Sequence, residues 1–360
     1  MVARRVRVDA LSGGARHAVL ALGILGLACG TESTSRCEVV SLASPLLGGA
    51  GQTGYLGLSR EQSGAVVALE FDPDAGAESR NLCSGVLLGS SAVLTAAHCV
   101  PPRDVSVRIS AAGVVVDVGP AECRVERHPV LDLALIDVPR LDAAAGLPWA
   151  TEIGPPWPRG EVAGAGISDD GTASELRFGV AEVLAGDPEF FTVRFMGGGG
   201  PCGGDSGGPL LVRSATGRVE VAGILSNGSP SCRGPDAYTR LDVASDWLSS
   251  LVGVTPPTES ACATLGRVGR CFGATAVFCD EGREHGTRCD DGLACGWDSK
   301  EQGYRCVAPE LDPCAGTTDL GSCAGDAAER CDHGQLLRLS CDACGASCLI
   351  SSMSGKAVCT

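Results

Sequence analysis

Residues 202–210 read Cys-Gly-Gly-Asp-Ser-Gly-Gly-Pro-Leu, with one serine, Ser206, enclosed by four glycines. A serine hydroxyl is a poor nucleophile at neutral pH and needs a neighbouring base to take its proton. Backbone N–H groups beside a nucleophile can be turned toward one point to hold an oxyanion, and glycine reaches the required dihedral angles at little cost. The stretch therefore predicts a nucleophilic serine in an oxyanion-binding turn.

Two other segments supply the partners that such a serine needs. Residues 94–99 read Leu-Thr-Ala-Ala-His-Cys, and residues 131–135 read Leu-Asp-Leu-Ala-Leu. Histidine titrates in the range of a general base, and a buried carboxylate can fix its tautomer. Asp132 is flanked by apolar residues, where a carboxylate needs a hydrogen-bonding partner. Outside the leader and the cysteine-rich tail only His98 and His128 remain, and His128 falls in a predicted loop.

In the order His, Asp, Ser these segments resemble the chymotrypsin/trypsin family over about residues 46–253. Subtilisin-like and α/β-hydrolase triads occur in other chain orders. The resemblance implies that His98 is the general base and then acid, that Asp132 orients it, and that Ser206 is the nucleophile. It also implies an oxyanion hole made by the backbone N–H groups of Gly204 and Ser206.

The predicted fold class is all-β. The resemblance implies two six-stranded antiparallel β-barrels with the triad at their junction, followed by a C-terminal helix. Short runs of β-branched and aromatic residues bounded by turn formers independently favour a sandwich or barrel. A helix is predicted over about residues 243–251, with Asp242 as its cap. The predicted strands are 65–71, 85–88, 105–109, 114–118 and 190–195.

The resemblance also implies two disulfides, Cys83–Cys99 and Cys202–Cys232. It further implies that residues 226–228, which are Ser226, Asn227 and Gly228, pair with the substrate backbone as an added strand. Asn227 stands where the family usually has tryptophan, which predicts a less apolar adjoining subsite.

The specificity pocket departs from the trypsin pattern. Gly200, six residues before Ser206, stands where trypsin-like members carry aspartate, and Asp236 stands where the pocket wall usually has glycine. Crab collagenase, a family member of broad specificity, resembles this arrangement. One hypothesis is that Asp236 accepts Arg or Lys at the cleaved position, because a buried charge needs a cationic partner. The alternative is that Asp236 turns to solvent or blocks the pocket.

Activation in this family frees an N-terminus that pairs with the aspartate before the serine, here Asp205. Residues 46–49, Leu-Leu-Gly-Gly, resemble the usual start only loosely and follow Ser44-Pro45, so Leu46 is the predicted new N-terminus without an evident tryptic cut. A disulfide between Cys37 and Cys123 is predicted to tether the pro-segment.

The first 29 residues have the pattern of a signal peptide: a basic start and an apolar stretch, 18–28, too short to span a bilayer comfortably. Gly26-Leu27-Ala28-Cys29-Gly30 resembles a bacterial lipobox, with Gly26 where leucine is usual. Two interpretations stay open, a lipid anchor at Cys29 or an ordinary cleaved leader. Residues 30–45 are interpreted as a linker or pro-segment, and no later segment predicts a transmembrane span.

Beyond a linker at 254–261 the chain becomes cysteine-rich, with 13 of the 20 cysteines from Cys262 to Cys359. Their spacings, 9, 8, 10, 6 and 11 and then 9, 8, 10, 7 and 11, predict two duplicated modules, 262–306 and 314–360, joined by a linker at 307–313. Such small modules rely on disulfides in place of a core. Six cysteines allow fifteen connectivities, so the pairing stays open, and zinc binding is the rival interpretation. Cys344 is the odd thiol.

Composition narrows the function classes. The net charge of −15 argues against a nucleic-acid partner, and twenty cysteines favour an oxidising compartment. We therefore expect a protein secreted or lipid-anchored at an outer surface; the presence of only two lysines suggests a GC-rich bacterial source. The chemistry needs no metal or cofactor, and the expected partners are protein or peptide substrates. The alternatives are an inactive protease-like scaffold and a surface-binding protein that acts through its tail.

Overall fold

The structure is a computed structural model of the 360-residue chain. It describes residues 51, 54–72, 81–89, 91–103, 105–138, 146–154, 157–167, 175–196, 199–252, 265–342, 345–351 and 354–360. The predicted leader, pro-segment and Leu46 lie outside the described residues. None of the helices in the described ranges is long and apolar enough to cross a membrane.

The first half of the protease region is a seven-stranded antiparallel sheet in the order β5-β4-β1-β2-β3-β7-β6. Alternation of buried and partly exposed residues explains strands such as β4, where Val107, Ile109 and Ala111 face the core. The strands are β1 Val66–Phe71, β2 Asn81–Leu88, β3 Ala92–Thr95, β4 Val107–Ala111, β5 Val114–Val118, β6 Arg124–Arg127 and β7 Ala134–Asp137.

The second half is a closed six-stranded barrel in the order β10-β13-β12-β11-β8-β9. Its strands are β8 Arg159–Gly164, β9 Arg177–Gly186, β10 Phe190–Phe195, β11 Pro209–Arg213, β12 Val219–Asn227 and β13 Pro235–Arg240. The predicted all-β, chymotrypsin-like fold class is therefore confirmed. The first sheet differs in detail, because it is a half-barrel: its edge strands β5 and β6 are largely exposed and do not pair with each other.

Two apolar clusters fill the protease region, and the larger one runs through both halves. It joins residues of the first sheet, such as Leu94 and Ile136, to residues of the second, such as Phe178 and Val221. Besides the short α1, Arg60–Ser63, the region has a closing helix, α2, Ser245–Leu251. The predicted closing helix is confirmed but begins later, because Asp242 pairs with Arg240 instead of capping it.

The tail folds as two successive sets of short hairpins. The first contains β14 Arg270–Phe272, β15 Thr275–Asp280, β16 Arg283–Arg288, β17 Ala294–Asp298 and β18 Gly303–Val307. The second contains β19 Ser322–Ala324, β20 Ala327–Asp332, β21 Gln335–Ser340, β22 Cys348–Ile350 and β23 Ala357–Cys359.

Disulfides follow one scheme in both modules. The second module joins its cysteines first to third, second to fifth and fourth to sixth, as Cys314–Cys331, Cys323–Cys348 and Cys341–Cys359. The first module has the corresponding second-to-fifth and fourth-to-sixth bonds, Cys271–Cys295 and Cys289–Cys306. Cys279 is also in a disulfide, and from the scheme of the second module we expect its partner to be Cys262, which lies outside the described residues.

The first module docks on the protease region through a buried arginine. Arg213, at the end of β11, pairs with Glu284 of β16, and their side chains are only 1% and 11% exposed. The Arg213 guanidinium also donates to the Leu56 carbonyl, at 3.1 Å from Nε, and lies 4.8 Å from the centre of the Phe272 ring. Separating the module from the protease region would leave the buried charge of Arg213 without its partner, which costs free energy. The salt bridge therefore stabilises the docked position of the module.

Both modules also enclose Tyr55, which is 3% exposed. Its ring meets Phe272 edge to face at 5.6 Å, and a Cβ on Gly355 of the second module would lie 2.6 Å from it. Arg270 of the first module donates to the carbonyl oxygens of Gly54 and Tyr55, at 2.6 and 3.1 Å. The tail is therefore packed against the segment that enters the first sheet.

Candidate active site

His98 and Asp132 meet where two loops of the first sheet converge. His98 lies in a short 3-10 turn, Ala97–Cys99, directly after β3, and Asp132 lies just before β7, which pairs with β3. The His98 Nδ1 atom is 2.8 Å from Asp132 Oδ2, and the His98 backbone N–H donates to Asp132 Oδ1 at 2.9 Å. The carboxylate therefore holds both the ring and the backbone of the histidine.

A third donor completes the surroundings of the carboxylate. The Ser226 hydroxyl, from β12 of the second barrel, donates to Asp132 Oδ2 at 2.7 Å. Burial works against ionisation of Asp132, but the bonds from His98 and Ser226 outweigh it and lower its pKa. The hydrogen bond with Asp132 raises the pKa of His98, against a smaller opposing effect of burial. These shifts suit an imidazole that accepts a proton.

Ser206 lies in the turn before β11. Its carbonyl accepts the Ser84 N–H at 2.7 Å, and the Cys99 sulfur is 3.5 Å from the same oxygen, so the turn lies beside the residue that follows His98. In the described residues no hydrogen bond joins the Ser206 hydroxyl to the His98 ring. In serine hydrolases such bonds are often long without substrate and tighten when it binds.

The turn leaves two N–H groups free. Neither Gly204 N nor Ser206 N donates to another described protein group. The Asp205 carbonyl accepts the Gly208 N–H at 2.9 Å, and in a trans peptide this points the Ser206 N–H the opposite way. Gly204 has a φ of +93°, a left-handed conformation that favours glycine. The two predicted oxyanion-hole N–H groups therefore have no protein acceptor among the described residues.

Asp205 points away from the turn into the protein and is 2% exposed. Its oxygens accept the N–H groups of Gly166 and Cys202, both at 2.8 Å. Burial raises its pKa to about 6, against the opposing effect of these two bonds. In the described part of the chain no cationic side chain pairs with it.

Asp236 faces the predicted pocket. Its side chain is 4% exposed, and Oδ1 accepts the Ser229 N–H at 2.9 Å. A Cβ on Gly200 would lie 3.6 Å from Asp236 Oδ2, and one on Gly228 would lie 3.3 Å from Oδ1. The carboxylate thus lies between the two glycines rather than in solvent, and burial raises its pKa to about 6. No described cation pairs with it.

The predicted substrate-binding strand, 226–228, continues the end of β12. Leu225 pairs with Tyr238 and Asn227 with Ala237 across a bulge in the β12–β13 ladder, and the Asn227 side chain is exposed. The strand therefore passes from the Asp132 carboxylate, through Ser226, to the glycine beside Asp236.

The two disulfides that the resemblance implies are present. Cys83–Cys99 and Cys202–Cys232 have Cα–Cα distances of 6.1 and 4.9 Å. The Cys37–Cys123 bond is not formed, because Cys123 is a free thiol in the structure, and Cys37 lies outside the described residues. Every other described cysteine is already in a disulfide, so Cys123 has no described partner.

Sequence patterns did not single out Ser84, which lies behind the turn that carries Gly204. Its hydroxyl donates to the Gly204 carbonyl at 3.0 Å across 120 residues of sequence. The only local signal was its position between Cys83 and Gly85 in the first of the two disulfide-bonded segments.

A closed β-barrel beside a half-barrel, with a His98–Asp132 pair near the turn that carries Ser206, is typical of chymotrypsin-like proteins, and comparisons with known proteins agree. The trypsin family model matches residues 60–248, which is 189 of 360 residues. A snake venom serine proteinase of Crotalus adamanteus is 30% identical over 224 residues, covering 52% of this chain and 82% of that protein. The chain belongs to the trypsin family.

Other relatives match over smaller parts of their length. Rat complement factor I is 27% identical over 221 residues, which cover 48% of this chain and 35% of that protein. The chain thus spans about a third of this curated relative. Among solved structures, mouse neuropsin has a TM-score of 0.43 at 21% identity, covering 53% of this chain and 96% of neuropsin. These relatives are animal proteins, and the bacterial source stays a prediction.

Proposed function

We propose that the chain is a secreted serine endopeptidase that cleaves peptide bonds through an acyl-enzyme on Ser206. Family membership supports a peptidase function. The observation that carries the full proposal is the His98–Asp132 pair at 2.8 Å beside a turn with two free N–H donors. In the proposed reaction His98 takes the Ser206 proton, the hydroxyl oxygen attacks the carbonyl carbon, and Gly204 and Ser206 N–H hold the oxyanion. His98 then protonates the leaving amine, and water releases the acyl group.

The proposed substrates have Arg or Lys at the cleaved position. A carboxylate buried between Gly200 and Gly228, without a described cationic partner, supports this preference over the alternative that Asp236 turns to solvent. A guanidinium or ammonium in the pocket would supply the missing charge.

The proposed maturation frees an N-terminal amine near Leu46 that pairs with Asp205. Support comes from the Asp205 carboxylate, which is buried and has backbone N–H groups as its described partners. The seven disulfides between described cysteines fit an oxidising location outside the cell. A lipid anchor at Cys29 stays a proposal.

The test is fluorophosphonate labelling of the purified full chain, with its N-terminus sequenced from the same sample. We expect labelling at Ser206, loss of labelling in Ser206→Ala and His98→Ala, and a mature start near Leu46. His285→Ala is the control, since His285 is an exposed histidine on β16 of the first tail module, where its ring stacks on Phe278 at 5.2 Å. A correctly cut chain that takes no label refutes the proposal.

The same variants separate the two rival functions. An inactive scaffold would keep the fold and disulfides but take no label with the wild-type sequence. A protein acting only through its tail would bind its target equally well after Ser206→Ala. Docking of the first module through the buried Arg213–Glu284 pair favours a tail that is part of the protease unit rather than a separate tethered binder.

A further inference from the structure

The hydroxyl of Ser84 joins two loops behind the predicted oxyanion hole. Ser84 lies in β2 and is fully buried. Its Oγ donates to the Gly204 carbonyl at 3.0 Å and accepts the Ala165 N–H at 2.9 Å. A serine hydroxyl has one donor proton, and here that proton is used on the oxyanion-hole glycine itself.

The backbone of Ser84 supports the same turn. Its N–H donates to the Ser206 carbonyl at 2.7 Å, and its carbonyl accepts the Thr95 hydroxyl at 2.7 Å. A Cβ on Gly207 would lie 2.2 Å from the Ser84 carbonyl oxygen. The turn is therefore packed directly against Ser84.

Two hydrogen bonds fix the orientation of the peptide groups before and after Gly204. The Gly203 carbonyl accepts the Ile167 N–H at 2.8 Å, so the Gly204 N–H, on the other side of that trans peptide, points away from Ile167. The next carbonyl, that of Gly204, is held by the Ser84 hydroxyl. The same hydroxyl also accepts the N–H of Ala165, two residues before Ile167. The Ser84 hydroxyl therefore connects the loop that binds the Gly203 carbonyl to the Gly204 carbonyl itself.

We propose that Ser84 is a positioning residue for the oxyanion hole, which its hydroxyl keeps open by holding the Gly204 carbonyl and the 165–167 loop. This inference rests on the proposed serine peptidase function. Ser84 does not touch the substrate; it acts through the Gly204 N–H. That N–H meets negative charge mainly in the transition state, so loss of the Ser84 hydroxyl lowers kcat and leaves KM nearly unchanged.

The test compares Ser84→Ala with the wild-type full chain. Complete removal of an oxyanion donor lowers kcat by about 10²- to 10³-fold, so loss of a restraint on one donor is expected to lower it by about tenfold. Affinity for a peptide boronate, which forms a tetrahedral adduct at the nucleophile, should fall in parallel, while KM for the matched peptide stays the same. An unchanged kcat, or a lower kcat with unchanged boronate affinity, overturns the inference.

Ser59→Ala is the matched control. Ser59 is also buried and its hydroxyl also accepts a backbone N–H, that of Gln62 at 3.2 Å, but it caps α1. The Ser59→Ala variant should lower the midpoint temperature of unfolding while leaving kcat unchanged. If Ser84→Ala does not fold, the isosteric pair Ser84→Thr and Ser84→Val makes the same comparison, and equal kcat values refute the role.

Failure of the proposed peptidase function and failure of the proposed role of Ser84 give different results. A wild-type chain that is correctly cut but takes no fluorophosphonate refutes the proposed function. A wild-type chain that is labelled, with Ser84→Ala labelled at the same rate, refutes only the role of Ser84.

Discussion

Replacing Asp236 with asparagine should convert a preference for basic residues into near-indifference. The carboxylate is 4% exposed, lies between Gly200 and Gly228, and accepts one backbone bond, from Ser229 N–H at 2.9 Å. An asparagine carbonyl oxygen can accept the same bond. The substitution therefore removes the charge and preserves the shape of the pocket.

The expected magnitude follows from the lost charge-assisted bond. A hydrogen bond to a charged group contributes roughly 1.5–3 kcal/mol, and about 1.4 kcal/mol is a factor of ten, so kcat/KM for an arginine substrate should fall by about 10- to 150-fold. The assay uses two peptides that differ only at the residue before the cleaved bond, arginine in one and leucine in the other. The leucine peptide serves as the internal control and should change little.

The pH dependence gives a second test of the same carboxylate. Burial raises the pKa of Asp236 to about 6, so its charge is lost as the pH falls through that value. Both peptides depend equally on the histidine, which cancels in the ratio of their kcat/KM values. The arginine-to-leucine ratio should therefore fall below about pH 6 in the wild type and stay flat in the asparagine variant.

The free energy of unfolding depends on pH in the opposite direction from the arginine-to-leucine ratio. Between the unfolded pKa of 3.8 and the folded value of about 6 the native Asp236 binds more protons than the unfolded chain. The free energy of unfolding therefore falls as the pH rises through this window, and the asparagine variant should be relatively more stable at neutral pH. Equal losses for both peptides, or a wild-type ratio that does not change with pH, would refute the assignment of Asp236 to the pocket.

Three further outcomes are expected. Asp132→Asn should lower kcat by about 10⁴-fold and move the histidine pKa downward, measured from the pH profile of kcat/KM; an unchanged profile contradicts the assigned geometry. Glu284→Gln should lower the free energy of unfolding, measured in urea melts, by about 1–3 kcal/mol, because the buried Arg213 then has only neutral carbonyl partners. Glu329→Gln is the control: it breaks a more exposed pair with Arg338 and should lower the same free energy by less than about 1 kcal/mol. Non-reducing peptide mapping should find Cys279 joined to Cys262; any other partner contradicts the shared disulfide scheme.

The predicted triad was accessible from sequence because each member lies in a short segment with its own chemical signature. Glycines around Ser206, a histidine before Cys99 and an aspartate among apolar residues are local patterns. Two predicted strands, 114–118 and 190–195, coincide with β5 and β10, since runs of β-branched and aromatic residues bounded by turn formers are also a local property. The helix start was missed because Asp242 has a tertiary partner, Arg240, that competes with capping.

By itself, the sequence determined the fold class and predicted the nucleophile, the base and the duplication of the tail, because spacing and residue type carry that information. Only the tertiary structure decided which tail cysteines pair, where Asp236 faces, and what Ser84 and Arg213 contact. Ser84 and Gly204 are 120 residues apart, and Arg213 and Leu56 are 157 apart. Such contacts depend on how the sheets and modules pack, and no local pattern in the chain encodes a partner at that distance.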